Sequence, residues 1–418
     1  MGRAEREAGG IISPLKDARP TKVFYAEAVY GQAEIDAVIE VLRTRHLELI
    51  NGPAVREFER RVATLFGKPL GVMTNSGSSA NTLALAALDL PPGSEVITPV
   101  CTFGTTVAPL VQQGLTPSFV DVEMGTFQID PEKVEAAITS RTRALMVPNL
   151  IGNLPDWRRL RRIADAHGLR VIEDSADTVG SLIDGQPVGS LTDVSTTSFY
   201  ASHVITCAGS GGMACFNAPD LADRALLLRG WGRRSTLTAE SEHIADRFSA
   251  DVDGIPYDAK FTFDGIGYNF LPSEIGAAFG LEQLNRLDAH IAARARNFGA
   301  VYECFRAFEE WFHLPRQLPG TRTAWLAVPV VVREGAPFAR RDLQVHLEEA
   351  GIQTRPLFAG NILRHEGFAR IACRRAPEGY PVADAVMRGG MLVGCHQGMG
   401  AADCEYIGDV LARFMRAY

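Results

Sequence analysis

The sequence predicts an α/β fold: a mainly parallel sheet with helices on both faces, then a smaller C-terminal α+β domain. Three observations predict it. From about residue 70, short apolar runs alternate with stretches of helical periodicity. The residues with chemical potential fall where those runs end. Near residue 320 the apolar pattern stops and restarts.

Taken in order, apolar residues at helical spacing mark helices at 31–45 and 52–66. The alternation follows. Apolar runs at 71–74, 95–100, 117–122 and 144–149 each lead into a helix, at 78–90, after Phe103, at 131–138 and at 155–168, and a fifth run spans 169–174. Strands alternating with helices at this spacing give a parallel sheet, whose ligands bind outside the carboxyl ends of the strands. Two more strands are expected at 193–199 and 211–216, a polar loop at 232–262, and helices at 272–286 and 288–312. The C-terminal part reads as a strand at 323–332, a helix at 339–351, a short strand, a long loop through Asn361, a strand at 391–394 and a last helix at 401–416. The expected division is a loose tail at 1–20, a large domain at 21–300 and a small one at 301–418.

Composition limits the function. The 418 residues exceed what one small core needs, and the net charge of −7 offers no footprint for nucleic acid or anionic membrane. No run of 18 apolar residues exists, and the first ten residues carry charge rather than an apolar segment. The seven cysteines are scattered and form no CxxC pair. That usage fits a reducing cytoplasm, without disulfides and without a cysteine metal cage.

Three segments carry chemistry. Thr74-Asn75-Ser76-Gly77-Ser78-Ser79-Ala80-Asn81 joins a strand to a helix, so its N–H groups and hydroxyls suit a phosphate. Ser and Asn also cap helices without any ligand, and the turn alone serves either role. Glu173-Asp174-Ser175-Ala176-Asp177 ends a buried run, where an Asp suits a protonated pyridine nitrogen or a plain helix cap. Phe103 suits stacking on a flat ring, or a core. In Ser198-Phe199-Tyr200-Ala201-Ser202-His203 a strand ends in small hydroxylated residues, one titratable group follows, and a turn at Gly209-Ser210-Gly211-Gly212 comes next. His203 is either a proton-transfer group or an ordinary hydrogen-bonded loop histidine.

The order GSSAN, EDSAD, SFYAS-H-x-x-T-x-x-x-S-G-G-M and GYNFLPSEIGAAFGLEQL resembles the DegT/DnrJ/EryC1/StrS sugar aminotransferases, from about residue 22 to 415. The resemblance implies a fold-type I pyridoxal-phosphate (PLP) enzyme. It implies that Gly77, Ser78 and Ser198 bind the cofactor phosphate, that Phe103 stacks on the ring and that Asp174 pairs with the pyridine nitrogen. It places Asp177 beside the cofactor. It sends Asn269 to the phosphate of a neighbouring subunit, which makes the enzyme an obligate homodimer. Asn361 and His396 fall where the family lines its substrate pocket, and the planar fork of Arg355 suits a substrate phosphate or a donor carboxylate, or else a surface or interdomain ion pair.

Two departures set the subclass. Aminotransferases of the family have lysine where this chain has His203. Lysine holds the aldehyde cofactor covalently; histidine instead moves protons. The resemblance here is to the 3-dehydratases acting on nucleotide-linked 4-keto-6-deoxyhexoses. They use the amine form of the cofactor, pyridoxamine phosphate (PMP), without a covalent link. The reductase-coupled members also carry a cysteine cluster for a [2Fe–2S] centre, which needs about four ligands. Here no cysteine lies between Cys215 and Cys304, so no iron–sulfur cluster is expected. The expected chemistry is removal of the C3 hydroxyl, with His203 as base and then acid near neutral pH, Asp174 supporting the ring, and glutamate re-aminating the cofactor. The alternatives are an elimination or transamination on a nucleoside or antibiotic sugar, and a catalytically silent partner subunit.

Overall fold

The computed structural model describes residues 22–237 and 243–418. The tail expected at 1–20 lies outside the described residues. Two helices come first, α1 (Gln32–Thr44) and α2 (Pro53–Leu65). Then β1 (Leu70–Thr74), α3 (Gly77–Leu88), β2 (Glu95–Pro99), α4 (Gly104–Gln112), β3 (Thr116–Val120), α5 (Pro131–Ala136), β4 (Thr142–Pro148), α6 (Trp157–His167) and β5 (Arg170–Ser175) alternate as the periodicity predicts. Strands β6 (Val194–Ser198) and β7 (Gly212–Phe216) complete a seven-stranded sheet in the order β1-β7-β6-β5-β4-β2-β3.

The strands read as apolar runs because both faces are covered. On one face Ala144, Met146 and Ile172 pack with Leu83 and Ala84 of α3. On the other Leu145, Val147 and Val171 pack with Trp157 and Leu160 of α6. Strand β7 runs antiparallel to both of its neighbours, β1 and β6. Its direction follows from the short connection 199–211, which reverses the chain within a hairpin-like loop.

After α7 (Pro219–Arg229) the stretch expected to be loop holds a small hairpin, Ala250–Val252 with Ile255–Tyr257. Its strands are too short to show a period of two. Helices α8 (Glu274–Asn285) and α9 (Leu287–Arg306) follow. The helix expected to reach 312 stops at Arg306, because Phe312 leaves it to pair with Val332. A second, antiparallel sheet contains β8 (Phe312–His313), β9 (Ala327–Val332), β10 (Thr354–Pro356) and β11 (Gly390–Gly394), in the order β8-β9-β11-β10. Helices α10 (Arg340–Glu349), α11 (Pro381–Gly389) and α12 (Ala401–Met415) pack around it. Helix α11 falls inside the expected loop. The proline at its first position starts it, and Asp121 caps it from outside through the N–H groups of Val382 and Ala383, both at 2.9 Å.

Candidate active site

A cavity of about 410 Å³ opens at the carboxyl ends of the parallel strands, where such sheets bind ligands. Its size falls within the roughly 300–1,000 Å³ of small-molecule sites. Of the residues expected from the sequence, Gly77, Ser78, Phe103, Asp174, Asp177, Ser198 and His203 all line it.

The anion-binding corner is built from β1 and α3. Ser76 caps α3, its Oγ accepting from Ser79 N–H at 3.1 Å. The carbonyl of Ser76 accepts from Ala80 N–H at 3.0 Å. The N–H groups of Gly77 and Ser78 have no acceptor among the described residues. A Cβ on Gly77 would stand 2.5 Å from the Ser198 Cβ, and one on Gly212 would stand 2.2 Å from the Ser76 carbonyl. The glycines therefore let β6, β7 and the α3 turn close on one small cradle. The glycines serve close approach of backbone to backbone. Two free N–H groups, a helix N-terminus and the Ser198 hydroxyl form a donor set that fits a phosphate.

Asp174 ends β5 on the cavity floor and is 5% exposed. Its Oδ2 accepts from Asn81 Nδ2 and Thr106 Oγ1, each at 2.8 Å, and its Oδ1 accepts from Ala176 N–H at 3.1 Å. These three donors fix the carboxyl group. Burial still pushes its pKa up, so a cation at this carboxyl would recover the cost of desolvation. Phe103, at the N-terminus of α4, is 55% exposed and lines the cavity, with Phe358 edge-on at 6.1 Å. A carboxylate, an exposed aromatic face and an anion cradle in one cavity fit a phosphorylated pyridine.

His203 sits in the loop after β6. Its Nδ1 lies 3.3 Å from the Ser198 carbonyl. A carbonyl only accepts, so Nδ1 carries the hydrogen and Nε2 is the basic nitrogen. Burial holds its pKa down at about 4, against the opposing pull of the Ser198 carbonyl, and Arg294 lowers it further. The expectation of a pKa near neutrality is corrected: His203 is an uncharged base at pH 7. Asp177 behaves oppositely. Its Oδ2 accepts from Ile151 N–H at 2.8 Å, yet burial pushes its carboxyl up to about 7.

Four expected residues do not line the cavity. Asn361 is spent on structure: its Nδ2 donates to Asp384 at 2.7 Å and its Oδ1 accepts from Leu363 N–H. His396 is buried, with Nε2 3.2 Å from the Phe24 carbonyl. Arg355 lies over the Tyr25 ring at 5.3 Å, and it is Tyr25 that lines the cavity. Asn269 is exposed, and its backbone bridges to Gly230. Sequence reasoning missed Tyr25, Thr106 and Asn81. Asn81 stood inside a quoted motif; Tyr25, brought in by a bridge between Val23 and Ile352, had no local signal.

Among the described residues no group of three or more His, Cys, Asp or Glu side chains is placed to hold a metal, and all seven cysteines are free. No helix there is long and apolar enough to cross a membrane.

The model of the DegT/DnrJ/EryC1/StrS aminotransferase family matches residues 29–412. The chain is 35% identical, over 96% of its length and 88% of the relative's, to a dTDP-4-dehydro-2,6-dideoxy-D-glucose 3-dehydratase of Saccharopolyspora spinosa. It is 32% identical, over 90% of its length and 93% of the relative's, to a GDP-perosamine synthase of Caulobacter vibrioides. Among solved structures it is similar, with a TM-score of 0.83 at 25% identity, to a GDP-4-keto-6-deoxymannose 3-dehydratase with a trapped PLP–glutamate adduct, over 93% of this chain and 100% of that one. Its α/β architecture is thus that of the PLP-dependent aminotransferase-fold enzymes. With residues 29–412 matched by the family model, the chain belongs to the DegT/DnrJ/EryC1/StrS aminotransferase family.

Proposed function

We propose that the chain is a PMP/PLP-dependent dehydratase that removes the C3 hydroxyl of a nucleotide-linked 4-keto-6-deoxyhexose. One observation carries this reading: His203 lines the cavity, and among the described residues no lysine does. Without a lysine the cofactor is held by contacts alone, and its amine form is the working one. The relatives named as 3-dehydratases support the same reaction class.

In this reading the N–H groups of Gly77 and Ser78 and the Ser198 hydroxyl hold the phosphate. The Phe103 ring would cover the pyridine, and Asp174 would pair with its nitrogen. When bound, the cofactor supplies an electron sink for the charge left by proton removal. His203 Nε2 would be the group that accepts a proton beside the bound cofactor and delivers it to the departing C3 oxygen, which would leave as water. Burial keeps the imidazole uncharged until it acts, makes it a weaker base than a solvated histidine, and favours release of the proton to the leaving oxygen once it carries one. Such proton transfer is worth roughly two to four orders of magnitude in rate. Asp177, protonated up to about pH 7, offers a hydrogen-bond donor beside Asp174. Arg355, which adjoins the cavity through the Tyr25 ring rather than lining it, is the cation left for an anionic group of the substrate or of the amino donor, and glutamate is that donor, as the relative's trapped adduct suggests. Asn269, exposed and away from its own cavity, serves the neighbouring subunit of a homodimer. With no cysteine between Cys215 and Cys304, the elimination runs without an on-board iron–sulfur centre.

The test is mass spectrometry of 4-keto sugar nucleotides incubated with enzyme, PMP and glutamate. A product that has lost the C3 oxygen is expected. Transfer of an amino group with all oxygens retained overturns the dehydratase reading in favour of the synthase-like one. Failure to bind PMP supports a silent partner subunit instead.

A further inference from the structure

Helix α9 carries three polar residues on one face, His290, Arg294 and Asn297, and all three are buried. Each is aimed at backbone carbonyls. His290 Nδ1 lies 3.3 Å from the Val204 carbonyl. Asn297 Nδ2 donates to the carbonyls of His396 at 2.8 Å and Met399 at 3.2 Å. Arg294, fully buried, spreads its fork most widely. Nη1 donates to the carbonyls of Trp325 at 3.0 Å and Leu326 at 3.1 Å, Nη2 to the carbonyl of His203 at 3.4 Å, and Nε to Gln397 Oε1 at 2.7 Å. Gln397 Nε2 in turn donates to the Val204 carbonyl at 3.2 Å. The backbone of His203 and Val204 is thus held by side chains from α9 and from the turn after β11.

No carboxylate among the described residues lies within ion-pair distance of Arg294. A buried cation is ordinarily paired, because its desolvation costs several kcal/mol. Here only neutral acceptors surround it, so its charge is felt by whatever titratable group is near. We propose that Arg294 is a positioning residue: it anchors the His203 loop through the His203 carbonyl, and its unneutralised charge adds to burial in keeping the His203 imidazole in its proton-accepting form. The inference rests on the reading of His203 as the site's base. The depressed pKa of His203, to which burial contributes most and Arg294 also contributes, agrees with the geometry. The other groups on the His203 side are the Ser198 carbonyl at Nδ1, the Tyr200 ring edge-on at 5.9 Å, His290 on α9, and Tyr25, Asp174 and Asp177 across the cavity. None of these others is a cation at neutral pH, so the positive charge beside this base belongs to Arg294.

The test follows the histidine Cε1 signals of the full chain by NMR as a function of pH, with His203→Gln used to assign the His203 signal. In the wild type His203 is expected to stay uncharged through neutral pH and to titrate near the acid limit of the folded state. Gln397→Glu keeps the side-chain shape and the acceptor for Nε, gives up the Nε2 donor to the Val204 carbonyl, and sets a carboxylate against Arg294; His203 should then titrate higher by about one pH unit. Arg294→Met should raise it similarly. Arg294→Lys keeps the charge while losing the fork, and should leave the titration near that of wild type. If Arg294→Met does not fold, Gln397→Glu decides. An unmoved His203 titration in Gln397→Glu overturns the proposal and leaves Arg294 as an anchor only. These signals are read without substrate, so they stand apart from the mass spectra that decide the dehydratase reading.

Discussion

His203 and Asp177 face one cavity, and burial drives their proton affinities in opposite directions. His203 is held at about 4 and Asp177 is pushed up to about 7. Each shift is also a statement about stability. An unfolded Asp releases its proton near roughly pH 3.9. Between about pH 4 and 7 the folded chain therefore holds more protons at Asp177 than the unfolded chain does. Stability falls as pH rises through that window. For His203, with an unfolded value of roughly 6.5, the unfolded chain holds the extra proton, so stability rises from about pH 4 to 6.5. Asp177→Asn isolates the first effect, because an amide oxygen can still accept from Ile151 N–H. Urea unfolding should show little change at pH 4 and a gain of about 2 kcal/mol at pH 8, allowing for relaxation around a buried group. Equal stability of variant and wild type at pH 8 would show that the carboxyl ionises without cost, and that Asp177 is no hydrogen-bond donor at neutral pH.

The cradle for the anion depends on how closely α3 approaches β6. Gly77→Ala brings a methyl group within 2.5 Å of the Ser198 Cβ, so the turn has to move outward. PLP affinity, followed by absorbance, should weaken at least tenfold, or about 1.4 kcal/mol. Ser78→Ala, at an exposed position, keeps the N–H and should bind nearly as wild type. Unaltered affinity in Gly77→Ala would place the phosphate elsewhere. The Gly/Ser turn and the acid at the end of β5 were legible in the sequence because both their chemistry and their position at strand ends are local. The central strands were legible for a related reason: helices cover both faces, leaving unbroken apolar runs such as those around Leu145 and Val171. What was not legible depends on distant partners. The direction of β7 is set by its neighbours. Asn361 looks like a pocket residue until Asp384 arrives from α11 to occupy it. Arg294 reads as one more charged residue on a helix, and only the folded chain shows its fork among four acceptors.

Asn269 raises the question of whether one chain makes a complete site. It is exposed and absent from the lining of its own cavity. Apolar side chains also lie open along the N-terminal elements, among them Tyr30, Ile35, Leu42, Leu47 and Ile50. Such exposure is characteristic of surfaces that pair. If two copies associate about a twofold axis, each contributes the same patch and each donates Asn269 to the other's cavity. Mixed subunits separate this arrangement from a self-sufficient chain. Asn269→Ala and His203→Gln should each be strongly impaired as pure preparations. After unfolding and refolding together in equal amounts, half of the dimers are mixed. In each mixed dimer one cavity has an intact His203 and receives an intact Asn269 from the other chain. About a quarter of the wild-type sites should return. If Asn269 serves its own cavity, every mixed dimer holds two defective sites and no activity returns.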